Sequence, residues 1–183
     1  MGLLSIPAQR LRLRRVLPWV RGRILDVGCG TGAILERLDA PEEYHGVDAQ
    51  AQVLERLRRR YPQHTFEQAD LDLDAFAEGR SFDTILLLAV IEHVYNQRRL
   101  FEQLLARLAP EGRIVITTPT PLGDGVHRIG ARLGLFARSA EDHHPIIFSR
   151  ARFHVYARRF GLRIEHYRRF AVGCNQLVVL RRA

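Results

Sequence analysis

The sequence predicts a doubly wound α/β sheet of seven strands with helices on both faces, and two observations carry that expectation. Apolar segments of strand length alternate with amphipathic segments of helix length along most of the chain, the pattern of a sheet covered by helices on both sides. The first strand runs directly into three alternating glycines, Gly28-Cys29-Gly30-Thr31-Gly32, and such a turn belongs at the carboxyl edge of a parallel strand. A chain of 183 residues, 46% of them hydrophobic, can bury one full core, so a single domain over residues 1–183 is expected.

The elements follow in order. A helix around Pro7 to Leu17 precedes the first strand, Arg23 to Val27. Beyond the glycines the pattern Ala33-Ile34-Leu35-Glu36-Arg37-Leu38 predicts a helix over Thr31 to Leu38. Strands at Tyr44 to Val47 and His64 to Gln68 flank a helix over Ala51 to Tyr61. The strand Phe82 to Leu88 is apolar on both faces and belongs in the middle of the sheet. A helix over Gln97 to Leu108 ends at Ala109-Pro110-Glu111-Gly112, where Pro and Gly are expected between helix and strand. The next strand is Arg113 to Thr117. The pattern then loosens from Thr118 to Phe148 around Gly123, Gly125, Gly130 and Gly134; so long a loop in a compact domain suits a lid over a substrate, here residues 119–148. A helix over Ser149 to Phe160 and strands at Leu162 to Tyr167 and Gln176 to Leu180 complete the set.

The glycine turn carries the chemistry. Its spacing is G-x-G-x-G, whereas a dinucleotide fingerprint is G-x-G-x-x-G, and the turn lacks the Lys and Ser/Thr of a P-loop. That argues against NAD and ATP. A carboxylate, Asp48, closes the second strand 20 residues after Gly28, a separation that suits hydrogen bonds to both ribose hydroxyls of a nucleoside held over the turn. The same Asp is also placed to cap the helix that starts at Ala51.

The run Asp26-Val27-Gly28-Cys29-Gly30-Thr31-Gly32 resembles the first motif of the class I S-adenosylmethionine-dependent methyltransferases. The resemblance is strong over Arg21 to Pro119 and weaker over Phe148 to Leu180. It implies the Rossmann-like methyltransferase fold, a mostly parallel sheet with the last strand antiparallel, which suits the short connection Arg168 to Asn175. It implies S-adenosylmethionine as cofactor, held by the turn residues Gly28, Cys29, Gly30 and Gly32. Asp26 would orient the loop and the cofactor's aminoacyl end. Asp70 and Leu71, at the end of the third strand, would meet the adenine. Ala89, after the fourth strand, would offer its carbonyl to the methionine amino group.

The stretch Ala89-Val90-Ile91-Glu92-His93-Val94 resembles the L-E-H-V of small-molecule methyltransferases of the ubiquinone-biosynthesis type. Neither N-P-P-Y nor D-P-P-Y stands there, and no nucleophilic cysteine of the cytosine-C5 kind is present, which argues against a nucleic-acid substrate. Methyl transfer is an in-line displacement, so holding the nucleophile near the methyl group is the main contribution of such a site. A protonated nucleophile, such as a hydroxyl, also needs a base. The candidates are His93 and His144, the latter in His144-Pro145-Ile146-Ile147-Phe148-Ser149, which resembles the family's H-x-x-x-F-S segment beside the substrate pocket. Glu92, His93, Asp142 and His143 do not form a metal set, because adjacent helical residues point apart; no metal is expected. The implied reaction is methyl transfer to a small molecule at oxygen.

The formal net charge is +8, yet all 28 basic residues are Arg and none is Lys. A compositional bias explains this better than a surface tuned to one ligand. Two alternatives follow from the same residues: an RNA methyltransferase using the Arg-rich tail from Arg150 to Arg169, or a non-catalytic methyltransferase-like module. An acidic acceptor suits the charge. A lipid-linked one suits Leu11, Arg12, Arg14, Arg15, Val16, Leu17 and Trp19 if this stretch lies on an anionic bilayer, although a cover over the cofactor, residues 1–20, serves the same pattern. Cys29 and Cys174 are read as reduced thiols. With no apolar run near 18 residues and no signal-peptide pattern, a cytoplasmic protein is expected.

Overall fold

The computed structural model describes residues 5–123 and 146–183. Helix α1 (Ser5–Val16) leads through a 3-10 turn (Leu17–Trp19) into β1 (Arg23–Val27), followed by β2 (Glu43–Asp48), α2 (Ala51–Arg60), β3 (Thr65–Gln68), β4 (Phe82–Leu88), α3 (Gln97–Arg107), β5 (Leu108–Pro119), α4 (Arg150–Arg159), β6 (Leu162–Phe170) and β7 (Asn175–Arg182). The seven strands form one sheet in the order β3-β2-β1-β4-β5-β7-β6. Pairing is parallel from β3 through to β5, and β7 runs antiparallel to both its neighbours.

The chain winds outward from β1 to β3 and then returns to place β4 on the other side of β1. The carboxyl ends of β1 and β4 therefore diverge in connection, and a crevice opens there.

Alternation along each strand sorts the apolar residues into two cores. Leu25, Val27, Ile85, Leu87, Ile114 and Ile116 face Leu100, Phe101 and Leu104 of α3 and Phe153 and Ala157 of α4. On the opposite face Ile24, Tyr44, Leu86, Val115 and Val179 meet Leu13 and Val16 of α1 and Leu54 and Leu57 of α2. Strands buried on both faces read as continuous apolar runs, which is why β4 was legible in the sequence. The helix starts were legible too: Asn96 accepts from the Arg99 N–H (3.2 Å) at α3, and Ser149 Oγ from the Arg152 N–H (3.2 Å) at α4.

Two sequence-based expectations need correction. The segment Thr31 to Leu38 is not an α-helix; it folds as turns with one 3-10 turn at Leu35–Arg37. Gly32 has φ +73 and Leu38 is already extended, leaving too few residues for a nucleated helix. Ile34 and Leu35 are buried all the same, so their spacing reported burial. Strand β5 starts at Leu108, not Arg113: Leu108 pairs with Phe82 and Arg113 with Thr84, so Ala109 to Gly112 form an irregularity within the ladder.

The apolar residues proposed for a bilayer are occupied within the protein. Val16 is fully buried, and Leu11, Leu17 and Trp19 pack against the sheet. No helix among the described residues is long and apolar enough to cross a membrane. The greater part of the 119–148 segment, including His144, lies outside the described residues.

Candidate functional site

The crevice between β1 and β4 is built around the glycine turn. Gly28 N–H and Cys29 N–H both donate to the Val47 carbonyl at the end of β2, at 2.7 and 2.9 Å. Gly30 N–H donates to Asp48 Oδ2 at 2.8 Å, and Asp48 Oδ1 accepts from Gln50 N–H at 3.0 Å. One Asp48 oxygen thus steadies the approach to α2, whose N-cap position is Gln50 and carries no side-chain cap, while the other fastens the turn.

Gly30 is the residue that faces open space. Its φ is +50, and a Cβ built there would meet nothing within 4 Å. A Cβ on Gly28 would instead run into Val90, and one on Gly32 into Leu57. Two of the glycines therefore serve close packing, and Gly30 serves whatever occupies the crevice.

A cavity of about 130 Å³ lies over this turn, lined by Gln9, Arg12 and Leu13 of α1, by Asp26, by Gly28 to Thr31, and by Ala33, Ile34 and Leu88. The structure so brings together Asp26, Gly28, Cys29 and Gly30. Asp48, Asp70, Leu71, Ala89 and His93 border the same sheet edge without lining that cavity. Ala69 N–H donates to the Asp48 carbonyl at 3.1 Å, which sets Asp70 beside Asp48. The exposed Asp70 accepts from Asp72 N–H at 2.9 Å, a turn bond of its own. Ala89 adopts φ +62 immediately after β4, a left-handed conformation that costs an alanine about 1–2 kcal/mol. Its N–H is held by the Thr117 carbonyl at 2.8 Å. Such strain recurs where a carbonyl must be aimed at a functional crevice. His93 is exposed on the 3-10 turn Ile91–His93.

Asp26 is the electrostatic centre of the cavity. It is 2% exposed, and Tyr44 OH donates to it at 2.6 Å. Burial pushes its pKa up from 3.8 to about 7, the Tyr44 hydrogen bond opposes this, and Asp48 adds to it. Between those two values the folded protein holds a proton that the unfolded chain has released. The stability this proton contributes is complete below the ordinary carboxylate range and is lost as pH rises through about 7. The loss is at most roughly 4 kcal/mol. The ligand-free protein is therefore expected to denature more easily at pH 8 than at pH 5.5, and Asp26→Asn should flatten the difference; parallel urea titrations at the two pH values would check this.

Cys29 contributes backbone. Its side chain is buried, a Cβ on Gly46 would come within 2.9 Å of its sulfur, and burial beside Asp26 and Asp48 raises its pKa strongly. A thiol so protonated is no nucleophile.

Arg12 and Gln9 were not singled out as pocket residues by the sequence reading. The missed signal is phase: Gln9, Arg12, Leu13 and Val16 share one helix face, whereas four arginines in one short helix make charge alone uninformative. Arg10 and Arg14 lie on the adjacent face, where with Pro7, Leu11 and Arg37 they line a wider groove of about 380 Å³ away from the glycine turn. In the Arg-rich tail, Arg150 stacks over Tyr167, and Arg152 over Phe148 and Tyr156, at 5.0 to 5.8 Å. Part of that charge is thus engaged inside the protein.

Comparison with known proteins agrees with the geometry. A family profile described as a methyltransferase domain matches residues 7–167. The chain is 30% identical over 129 residues to the trans-aconitate 2-methyltransferase of Rhizobium etli, covering 68% of this chain and 45% of that protein. It is 32% identical over 126 residues to the enzyme of the same name from Variovorax paradoxus, covering 67% and 48%. The chain spans about half the length of these curated relatives. Among solved structures, an S-adenosylmethionine-dependent methyltransferase from Mesorhizobium loti superposes with a TM-score of 0.72 at 24% identity, covering 96% of this chain and 98% of that one. The glycopeptide N-methyltransferase MtfA, complexed with S-adenosylmethionine, superposes with a TM-score of 0.70 at 16% identity, covering 95% and 86%.

Proposed function

Since the chain belongs to the class I S-adenosylmethionine-dependent methyltransferase family, we propose that it is an enzyme transferring a methyl group from S-adenosylmethionine to an oxygen of a small molecule. The observation that carries this reading is Gly30: left-handed, tied to Asp48 and facing a cavity that no protein atom fills.

The residues present fit the cofactor. When bound, it supplies an electrophilic methyl group on a sulfonium. Asp48 keeps lone pairs beyond those taken by the Gly30 and Gln50 N–H groups and offers them to the ribose hydroxyls. Asp70 and Leu71, next to it, receive the adenine. Asp26 and the carbonyl of Ala89 take the aminoacyl end, where an ammonium group would favour the ionised form of Asp26. Helix α1 closes the cavity from above and excludes water. For a hydroxyl nucleophile, His144 removes the proton, with His93 as the second candidate. A small-molecule acceptor is supported by the trans-aconitate 2-methyltransferases among the relatives.

Calorimetry tests the cofactor. S-adenosylmethionine and S-adenosylhomocysteine are expected to bind and NAD is not; silence with both sulfur nucleosides would sink the proposal. Asp48→Ala should weaken S-adenosylhomocysteine binding by about 1.5–3 kcal/mol, the range for hydrogen bonds to a charged group, while the domain stays folded. Unchanged affinity would leave Asp48 only its turn-forming role.

A further inference from the structure

The inner face of α1 carries a cation, Arg12, whose Nε makes no hydrogen bond among the described residues. The side chain lines the cavity over the glycine turn, and the Nε is sealed from solvent. Burying a guanidinium N–H without an acceptor is costly, and proteins seldom leave one so. The acid whose charge reaches Arg12 is Glu92, itself 1% exposed, on the turn that follows β4.

Which ligand group Arg12 awaits is decided by where its charge sits. Asp26 is influenced by Tyr44 and Asp48, on the β2 side of the crevice. Arg12 is influenced by Glu92, on the β4 side. Both side chains line the one cavity, Asp26 bonded to Tyr44 of β2 and Arg12 under the charge of Glu92, which stands on the turn after β4. An aminoacyl group bound at Asp26 carries its ammonium and carboxylate on one carbon and stays within reach of that residue. Arg12, under the charge of Glu92 on the turn after β4, is left to the methyl acceptor.

We propose that Arg12 is the receptor for a carboxylate of the methyl acceptor, so that the acceptor is a carboxylic acid anchored against α1. This rests on the reading of the crevice as a methyltransferase site and names its substrate class. A guanidinium presents five N–H donors in a planar fork that matches a carboxylate. Its unused Nε edge can serve the ligand while the charge of Glu92 keeps the cation balanced before the ligand arrives. The anchoring carboxylate is held by the arginine, which lowers its nucleophilicity, so the oxygen that accepts the methyl belongs to another group of the same acceptor.

The test separates acceptor from cofactor without needing turnover. Titrating S-adenosylhomocysteine into the parent and into Arg12→Gln measures cofactor affinity. Titrating tricarballylate, succinate and acetate into the S-adenosylhomocysteine-saturated proteins measures carboxylate binding. The expected result is that the saturated parent binds at least one of the polycarboxylates, that Arg12→Gln weakens this by ~10- to 100-fold, that Arg12→Lys recovers part of it, and that S-adenosylhomocysteine affinity changes less than about 3-fold. If Arg12→Gln weakens S-adenosylhomocysteine ten-fold or more, the arginine serves the cofactor and the proposal falls. It falls equally if the saturated parent binds none of the three acids, or if Arg12→Gln binds them as the parent does. Should Arg12→Gln not fold, Arg12→Lys decides through the same titrations, since an ammonium cannot reproduce the planar fork. A parent that binds no S-adenosylhomocysteine would overturn the underlying methyltransferase reading instead.

Discussion

Gly30→Val is expected to yield a folded protein that has lost its cofactor and its turnover. The substitution meets no protein atom, because a Cβ at Gly30 projects into open space; the core should survive. Two alternative routes work against the ligand. A β-branched residue at φ +50 is strained by about 1–2 kcal/mol or more, and relieving the strain moves the N–H away from Asp48 Oδ2, a charged hydrogen bond of about 1.5–3 kcal/mol. Either route costs up to about 3 kcal/mol, on the order of 10^2 in affinity, before the volume of the side chain in the cleft is counted. Gly30→Ala separates the terms, since it keeps the strain and adds little bulk. Calorimetric titration and a thermal denaturation curve for both variants give the answer. A folded Gly30→Val that turns over like the parent would move the site away from the glycine turn.

His144→Ala carries the second large effect. If His144 removes a hydroxyl proton, turnover should fall by ~10^2 to 10^4 while cofactor affinity holds, and the parent's rate should decline as the imidazole protonates below about pH 6.5. The motive is the H-x-x-x-F-S segment, whose last two residues the structure anchors: Phe148 is fully buried, its carbonyl accepts from Gln176 Nε2, and Ser149 caps α4. A residue that only shapes the pocket would show its loss mainly in the Michaelis constant. Carboxylic acids bearing a hydroxyl are the acceptors to screen first, with homocysteine release as the readout. A flat pH profile in the parent with near-normal turnover in the variant would remove His144 from the mechanism.

Strands β1 and β4 were legible because each is a short apolar run that the sheet buries on both faces, and burial in a parallel sheet leaves its mark in composition alone. The turn was legible because backbone conformation there is dictated residue by residue: Gly28, Gly30 and Gly32 all take positive φ, which glycine tolerates and most residues do not. Asp48 could be read from its distance along the chain, since a crossover of ordinary length, made here by turns, brings the end of β2 beside the end of β1.

Thr31 to Leu38 shows where such reading stops. Its apolar spacing satisfies a helix and a buried 3-10 turn equally, and the choice was made by the left-handed Gly32 and by the contacts that bury Ile34 and Leu35. The pairing of Leu108 with Phe82 was invisible for a related reason: Pro110 and Gly112 signal a break, but only the neighbouring strand shows that the ladder continues on both sides of it.

The sequence by itself determined the order of the strands, the glycine turn and the family. Those properties depend on local sterics and on periodic burial, both written into consecutive residues. Only the tertiary structure decided which arginine of α1 reaches the cavity, that Asp26 is buried enough for its pKa to rise to about 7, and that Ala89 is held left-handed by β5. Each of these follows from long-range packing that removes water from one particular atom, and desolvation is a property of the surroundings, not of the residue type.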